Sequence, residues 1–301
     1  MNLLEQVECI YNVKAVKAEF IENSWNSTVI LLQAMDKKYI LKKRLDYKTF
    51  IRENIIFDKL GKSSFTNFMP IIKTKKNESY FEFYNSFWAM YEYAGNEFYS
   101  LHYDNSSINM ADMLNHLHST NIKYLPFSLP PFKNNVQVSD GLLGSNKYEG
   151  VKAFHKNHIE PNLKESELPF SFIHGDLNQD NILYSDGTIK LIDFEFSRFD
   201  FRIYDFTSLA LGKRNHSGKF KLEELRLVKE VMMLYNNFST IKIQPQEYYY
   251  FFDYLFNQVF VIYCNILQSP NPCKKKTDSL YDVLNNFIKR EKEYRGVFRN
   301  E

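Results

Sequence analysis

The chain has 301 residues, with 38 Lys and Arg against 36 Asp and Glu, 44% apolar side chains, 10 Gly and 9 Pro. That length and apolar fraction fill the core of one large domain or two modest ones, which excludes a disordered, collagen-like or disulfide-stapled miniature chain. A formal net charge of +2 leaves no surplus of cations for counterion release, so no nucleic-acid partner is expected.

The start, Met1-Asn2-Leu3-Leu4-Glu5, lacks the basic residues and apolar run of a secretory leader. Cys9, Cys264 and Cys273 form no C-x-x-C pair, so neither a disulfide framework nor a structural zinc site is expected, and a cytoplasmic location is. Val29-Ile30-Leu31-Leu32 and Tyr39-Ile40-Leu41-Lys42 are short, apolar runs separated by Asp36-Lys37-Lys38, and they predict a hairpin. A helix is predicted from about Asp46, its N-cap, through Ile51, Ile55, Ile56 and Leu60, with Gly61 offering a left-handed stop. Residues 80–84 and 87–93 predict two aromatic strands with Asn85-Ser86 as their turn. The first ninety residues therefore read as strands around one helix.

After Ala94-Gly95-Asn96 helical periods dominate, beginning with Met110, Met113, Leu114 and Leu117 on one face. Prolines in 125–131 and glycines in 139–150 predict loops. A strand-turn-strand follows, Asn181-Ile182-Leu183-Tyr184, Asp186-Gly187 and Ile189-Lys190-Leu191-Ile192; helices are predicted over 222–235, 247–267 and 279–294. Residues 248–267 are the most apolar stretch, but Asp253, Asn257, Gln258 and Asn265 interrupt it. A bilayer span needs about 20 apolar residues, so this reads as a buried aromatic helix, with no membrane insertion expected. A boundary near residue 94 divides a small α+β lobe from a larger, mainly helical one.

Chemistry concentrates in residues 172–195. Two apolar strand ends deliver Asp176, then Asn181 five residues later, then Asp193 after the Asp186-Gly187 turn. Three oxygen-bearing side chains brought together this way suit a hard divalent cation. Phosphoryl transfer needs that cluster, a carboxylate to receive the hydroxyl proton and a cation to fix the nucleotide.

His174-Gly175-Asp176, with Asn181 and Asp193-Phe194-Glu195, resembles the motif set of the aminoglycoside phosphotransferase and choline kinase superfamily, relatives of the protein kinases. The resemblance runs in order over about residues 20 to 210. It implies an α+β, bilobal protein-kinase-like fold, with an antiparallel-sheet nucleotide lobe carrying one helix over residues 1–93 and a mainly helical catalytic and acceptor-binding lobe over 94–301. By this resemblance Asp176 is the catalytic base, and Asn181 and Asp193 hold magnesium ions. Lys42, on a strand resembling the family's lysine strand, contacts the α- and β-phosphates of ATP, and Glu53, from Arg52-Glu53 on the next helix, fixes Lys42. Met90-Tyr91-Glu92-Tyr93-Ala94-Gly95 resembles the hinge that pairs with adenine, placing Glu92 and Ala94 at the base, although no residue distinguishes ATP from GTP. Leu117-His118 matches the end of the family's first large-lobe helix, and Asp205 in Tyr204-Asp205-Phe206 resembles the aspartate that buttresses the catalytic loop.

Strand alternation leaves one of Lys42 and Lys43 facing inward; Lys42 shares its face with Ile40, whereas Leu41 and Lys43 share the other. The chain also departs from the family pattern. Its phosphate-covering stretch, residues 21–28, has no glycine, so Ser24, Asn26 and Ser27 would offer side-chain hydrogen bonds instead. Asn178 stands where relatives have histidine or, in protein kinases, lysine. Asp253 is a candidate for an acceptor pocket. The leading expectation is a magnesium- and ATP-dependent kinase acting on a small-molecule hydroxyl of aminoglycoside, choline, amino alcohol or sugar type. A protein kinase is the second reading, opposed by His-Gly-Asp in place of His-Arg-Asp and by the lack of Ala-Pro-Glu. A kinase-like binding protein such as a spore-coat-associated one is the third.

Overall fold

The computed structural model describes residues 2–21, 28–63, 65–95, 97–127, 129, 146–165, 167–185, 187–212, 220–269 and 272–299. Contacts divide the chain into two compact units. One comprises Met1–Glu97, Tyr124–Ser128 and Leu183–Glu195, the other Phe98–Lys123, Leu129–Ile182 and Phe196–Glu301.

The first unit opens with a helix, α1 (Leu3–Tyr11), that the sequence reading missed. Its signal is present: the Asn2 side chain accepts the Glu5 amide while Glu5 reaches back to the Asn2 amide, a capping box written as Asn-x-x-Glu. The strands are β1 (Lys17–Ile21), β2 (Val29–Gln33), β3 (Lys38–Arg44), β4 (Ile71–Ile72), β5 (Phe81–Glu82) and β6 (Phe87–Glu92). They form an antiparallel sheet in the order β1-β2-β3-β6-β4, with β5 also paired to β6. Alternation decides its two faces. Ile30, Leu32, Leu41, Trp88 and Met90 point one way and pack with Val7 and Tyr11 of α1. Lys42 and Arg44 point the other way, toward α2 (Lys48–Lys62), whose buried side includes Phe50, Arg52, Glu53, Ile56 and Leu60.

Local turns depart slightly from expectation. Gly61 lies inside α2, which ends at Ser63 without a left-handed residue. The β5–β6 turn is centred on Tyr84 and Asn85, both at positive φ (46° and 53°), one residue earlier than predicted. The Asp46 carboxylate accepts the Lys48 amide at 2.9 Å at the start of α2.

Helices dominate the second unit: α3 (Ser106–His118), α4 (Asn146–Phe154), α5 (Glu160–Glu165), α6 (Ile203–Ala210), α7 (Leu222–Phe238), α8 (Pro245–Leu267), α9 (Lys274–Lys289) and α10 (Glu291–Arg299). A π-helical turn, His155–Ile159, joins α4 to α5. Gly150 therefore sits within a helix rather than a loop, and the predicted 279–294 helix is two helices broken at Arg290. Almost every residue of α8 from Phe251 to Cys264 is buried, which explains why its apolar character encircles the helix. Rings of Phe252, Phe256, Phe287 and Tyr294 meet here, each fully buried ring contributing roughly 1.5–3 kcal/mol. None of the described helices is long and apolar enough to cross a membrane.

Two short ladders carry the motif segment. β7 (Phe170–Ile173) pairs antiparallel with β10 (Arg198–Phe201), and β8 (Ile182–Ser185) pairs with β9 (Thr188–Leu191).

Candidate active site

In the second unit, β7 ends at Ile173 and the chain turns through His174, Gly175 and Asp176 before a single 3-10 turn, Gln179–Asn181. The turn is held from behind. Fully buried Asp205 accepts the His174 amide at 2.9 Å on Oδ2 and the Gly175 amide at 2.8 Å on Oδ1. Its Oδ2 also lies 3.1 Å from His118 Nε2, so the Leu117-His118 and Tyr204-Asp205-Phe206 motifs meet at one carboxylate. The Ser197 hydroxyl closes the arrangement by donating to the His174 carbonyl at 2.9 Å. Gly175 has φ +79°, and a Cβ there would overlap the Phe196 carbonyl, so glycine is required twice over.

These constraints aim the Asp176 carboxylate, which is partly accessible. Asn178 Nδ2 donates to its Oδ1 at 2.9 Å and Asn181 Nδ2 donates to its Oδ2 at 3.0 Å. Asn181 Nδ2 also binds the Asp176 carbonyl at 2.8 Å, while Asn178 Oδ1 accepts the Asp180 amide at 2.9 Å and caps the 3-10 turn. Each amide thus spends its donors on Asp176, and the Asn181 Oδ1 has no hydrogen-bond donor on it among the described residues. Asn178, read from sequence only as a missing cation, is a positioning residue for Asp176.

The other motif residues lie in the first unit. Asp193 follows β9 at φ +63°, an uncommon conformation for a non-glycine residue. Its Oδ1 receives Lys42 Nζ at 2.7 Å and Arg44 at 3.1 Å. Arg44 also forms a salt bridge with Glu195 and lies 3.5 Å from Glu53 Oε1. Tyr91 donates its hydroxyl to Glu53 Oε2 at 2.7 Å, and Arg52 donates to the Glu195 carbonyl at 2.5 Å. Burial opposes the Arg44 charge, yet Glu53 and Asp193 outweigh it and raise its pKa above the ordinary value. Burial first, then Glu53, raises the Tyr91 phenol well above its usual range.

Lys42 is buried, whereas Lys43 lies with its ammonium 5.9 Å from the Trp88 ring on the opposite face. The expected Lys42–Glu53 pair is not formed: Glu53 belongs to Arg44 and Tyr91, and Lys42 belongs to Asp193. The reason is that Arg44, two residues along the same strand face, reaches Glu53 with its longer forked group. Arg44 was missed by sequence reasoning, although the alternation that selected Lys42 also selects it. Glu92 ends β6 and is exposed, and Ala94 just beyond it is buried. Ser27, like Ser24 and Asn26, lies outside the described residues. Asp253 is not open to a ligand: fully buried, it accepts both Arg295 terminal nitrogens at 2.6 and 2.8 Å and Asn162 at 3.0 Å.

The sequence profile of the phosphotransferase enzyme family (APH) matches residues 17–227. The chain belongs to that family. A search of curated protein sequences found no match. Among solved structures, a microcompartment-associated aminopropanol kinase superposes with a TM-score of 0.73 at 16% identity, covering 97% of this chain and 98% of the kinase. Amicoumacin kinase hAmiN, solved with AMP-PNP, Ca2+ and amicoumacin, gives 0.72 at 13% identity, covering 96% and 92%. Choline kinase LicA from Streptococcus pneumoniae gives 0.70 at 15% identity, covering 95% and 96%. At such identities the likeness shows the fold, and the phosphotransferase chain shares the bilobal, protein-kinase-like architecture of these structures.

Proposed function

We propose that this phosphotransferase moves the γ-phosphoryl group of ATP, with magnesium, onto a hydroxyl of a small molecule of aminoglycoside, choline, amino alcohol or sugar type. The reading rests chiefly on Asp176, whose two carboxylate oxygens are each oriented by one asparagine amide on a loop anchored from beneath. In this reading Asp176 accepts the proton of the acceptor hydroxyl. Lys42 binds the α- and β-phosphates, Ser27 adds a hydrogen bond to them, and backbone groups at Glu92 and Ala94 receive adenine. Residues 1–93 form the nucleotide lobe and 94–301 carry the base and the acceptor site.

Among the described residues no three His, Cys, Asp or Glu side chains gather as a ready-made metal site. The donor set still fits magnesium, which prefers a carboxylate or two completed by phosphate oxygens and water. Among the described residues the Asn181 amide oxygen receives no hydrogen bond, and the side chain of Asp193 is 27% exposed. When bound, magnesium would neutralise charge on the phosphates. The structural neighbours support the same chemistry, since they are kinases of aminopropanol, amicoumacin and choline.

Titration calorimetry with ATP, with and without magnesium, on wild type and Asp193→Ala tests the donor half of the proposal. Magnesium-dependent binding lost in the variant is expected; no binding at millimolar ATP would overturn it. Acceptor screening by phosphoryl transfer then uses Asp176→Asn as the blank, with kcat falling by about 10²–10⁴-fold.

A further inference from the structure

The geometry points to Arg44 as a positioning residue that occupies Glu53 in place of Lys42 and keeps Asp193 fixed when Lys42 turns to the phosphates. The inference rests on the proposed roles of Lys42 and Asp193.

Three observations carry it. First, one guanidinium spans three carboxylates: Asp193 at 3.1 Å, Glu53 at 3.5 Å and Glu195 in a direct salt bridge. A planar fork with five donors serves several acceptors at once, whereas a lysine ammonium at this place would be a single point charge. Second, the group is locked in place. Its side chain is 9% exposed, and its guanidinium carbon sits 5.5 Å from the Phe50 ring centroid. Third, the ion pair of Lys42 among the described residues is with Asp193 alone, at 2.7 Å.

Charge balance gives these contacts a consequence. Lys42, Arg44 and Arg52 face Glu53, Asp193 and Glu195 in one buried or half-buried cluster. Glu53 is 1% exposed, so it needs a permanent cation beside it, since a buried unpaired carboxylate is strongly destabilising. If Lys42 were that cation, its departure to a phosphate would strand Glu53. With Arg44 on Glu53, Lys42 is free to exchange Asp193 for phosphate oxygens. Asp193 Oδ1 meanwhile retains Arg44, which holds the carboxylate in place beside its left-handed backbone. Without Arg44, Glu53 must draw its cation from Lys42 or Arg52, and Asp193 loses one of its anchors.

Double-variant cycles on the full chain test this, read by unfolding midpoint and by ATP turnover. Arg44→Met and Glu53→Gln should each lower the midpoint, with the pair together no worse than the worse single variant. Lys42→Met and Glu53→Gln should couple more weakly than that pair, since Lys42 reaches Glu53 only through Asp193 and Arg44. Arg44→Met should cut kcat by about tenfold or more while the KM for ATP moves less than about threefold, and Lys42→Met should chiefly raise that KM. Arg44→Lys, which keeps a positive charge beside Glu53 but not the fork, should regain part of the midpoint without regaining kcat. Coupling of Glu53 to Lys42 stronger than to Arg44, or a kcat in Arg44→Lys that recovers in step with its midpoint, would overturn the inference. Should wild type bind no ATP, the proposed function fails by itself, and the midpoint cycles still decide which cation partners Glu53.

Discussion

Asp205 accepts the Gly175 amide at 2.8 Å from a position with no solvent exposure. One side chain on α6 thereby dictates the backbone path of a loop thirty residues earlier in sequence. Hydrogen bonds to an ionised acceptor are stronger than neutral ones, and Asp205 makes them to two consecutive amides while also meeting His118. The direction of Asp176 is thus inherited from the packing of α3 and α6 beneath it.

Asp205→Asn should therefore be costly although nearly isosteric. An amide presents two N–H donors where the loop already offers donors, so one backbone N–H would lose its acceptor. Leaving such a buried group unsatisfied costs about 2–4 kcal/mol, equivalent to a fall of roughly 4–8 °C in unfolding midpoint. Differential scanning calorimetry measures this directly. A midpoint within 2 °C of wild type, a margin about the size of a 1 kcal/mol effect, would mean that Asp205 does not anchor the loop.

Gly175→Ala probes the same loop by crowding rather than by charge. The added methyl meets the Phe196 carbonyl, and the φ of +79° is unfavourable for alanine. Relief requires the loop to shift, carrying Asp176 with it. A displacement of about 1 Å at a catalytic group costs on the order of 10²-fold in rate. Turnover should fall by that order while ATP affinity, proposed to rest on Lys42 and Asp193, stays within about threefold. Equal losses in both, measured by steady-state kinetics and calorimetry, would contradict the separation of roles.

The fold was legible where pattern and chemistry coincide. Alternating Ile30 and Leu32 announce β2, and Met110, Met113, Leu114 and Leu117 announce α3, because burial enforces those periods. The motif residues Asp176 and Asn181 were legible because short-range geometry suffices to join them. What escaped was set by long-range competition. Nothing in the sequence ranks Arg44 above Lys42 as the partner of Glu53, since that depends on side-chain reach across two elements. Likewise Asp253 reads as an accessible acid until Arg295, 42 residues later, is seen on both its oxygens. Asn2-x-x-Glu5 was readable as a capping box, but a helix of 9 residues spans too few turns for its apolar period to stand out.

His155 gives the protein a pH dependence. Its imidazole lies 6% exposed at the start of the π-helical turn, stacked 4.2 Å from Phe260 and 2.9 Å from Asn257 Oδ1. Burial lowers its pKa below the ordinary 6.5, despite the opposing Asn257 hydrogen bond. The folded chain thus keeps the ring neutral at a pH where the unfolded chain has begun to bind a proton. Stability from this group is complete above 6.5 and declines as pH falls toward the lowered value, by no more than about 1.4 kcal/mol per pH unit for one proton. The unfolding midpoint should consequently drop less steeply below pH 6.5 in His155→Gln than in wild type, whatever the two absolute midpoints. Parallel slopes would assign the acid sensitivity elsewhere.

The three thiols should separate into two classes. Cys9 and Cys273 are exposed, whereas Cys264 is buried in α8 beside Tyr148, and burial pushes its thiol up to about 11. At pH 8 a thiol of that pKa is roughly one part in a thousand thiolate, and the thiolate is the reactive form. Native protein treated with an aromatic disulfide reagent at pH 8 should release chromophore quickly from two cysteines and from the third only after denaturant is added. Replacing Cys9 and Cys273 with serine should abolish the fast phase. A fast phase surviving in that double variant would place Cys264 within reach of solvent on the timescale of the reaction, and would show that the packing of α8 opens readily at Tyr148.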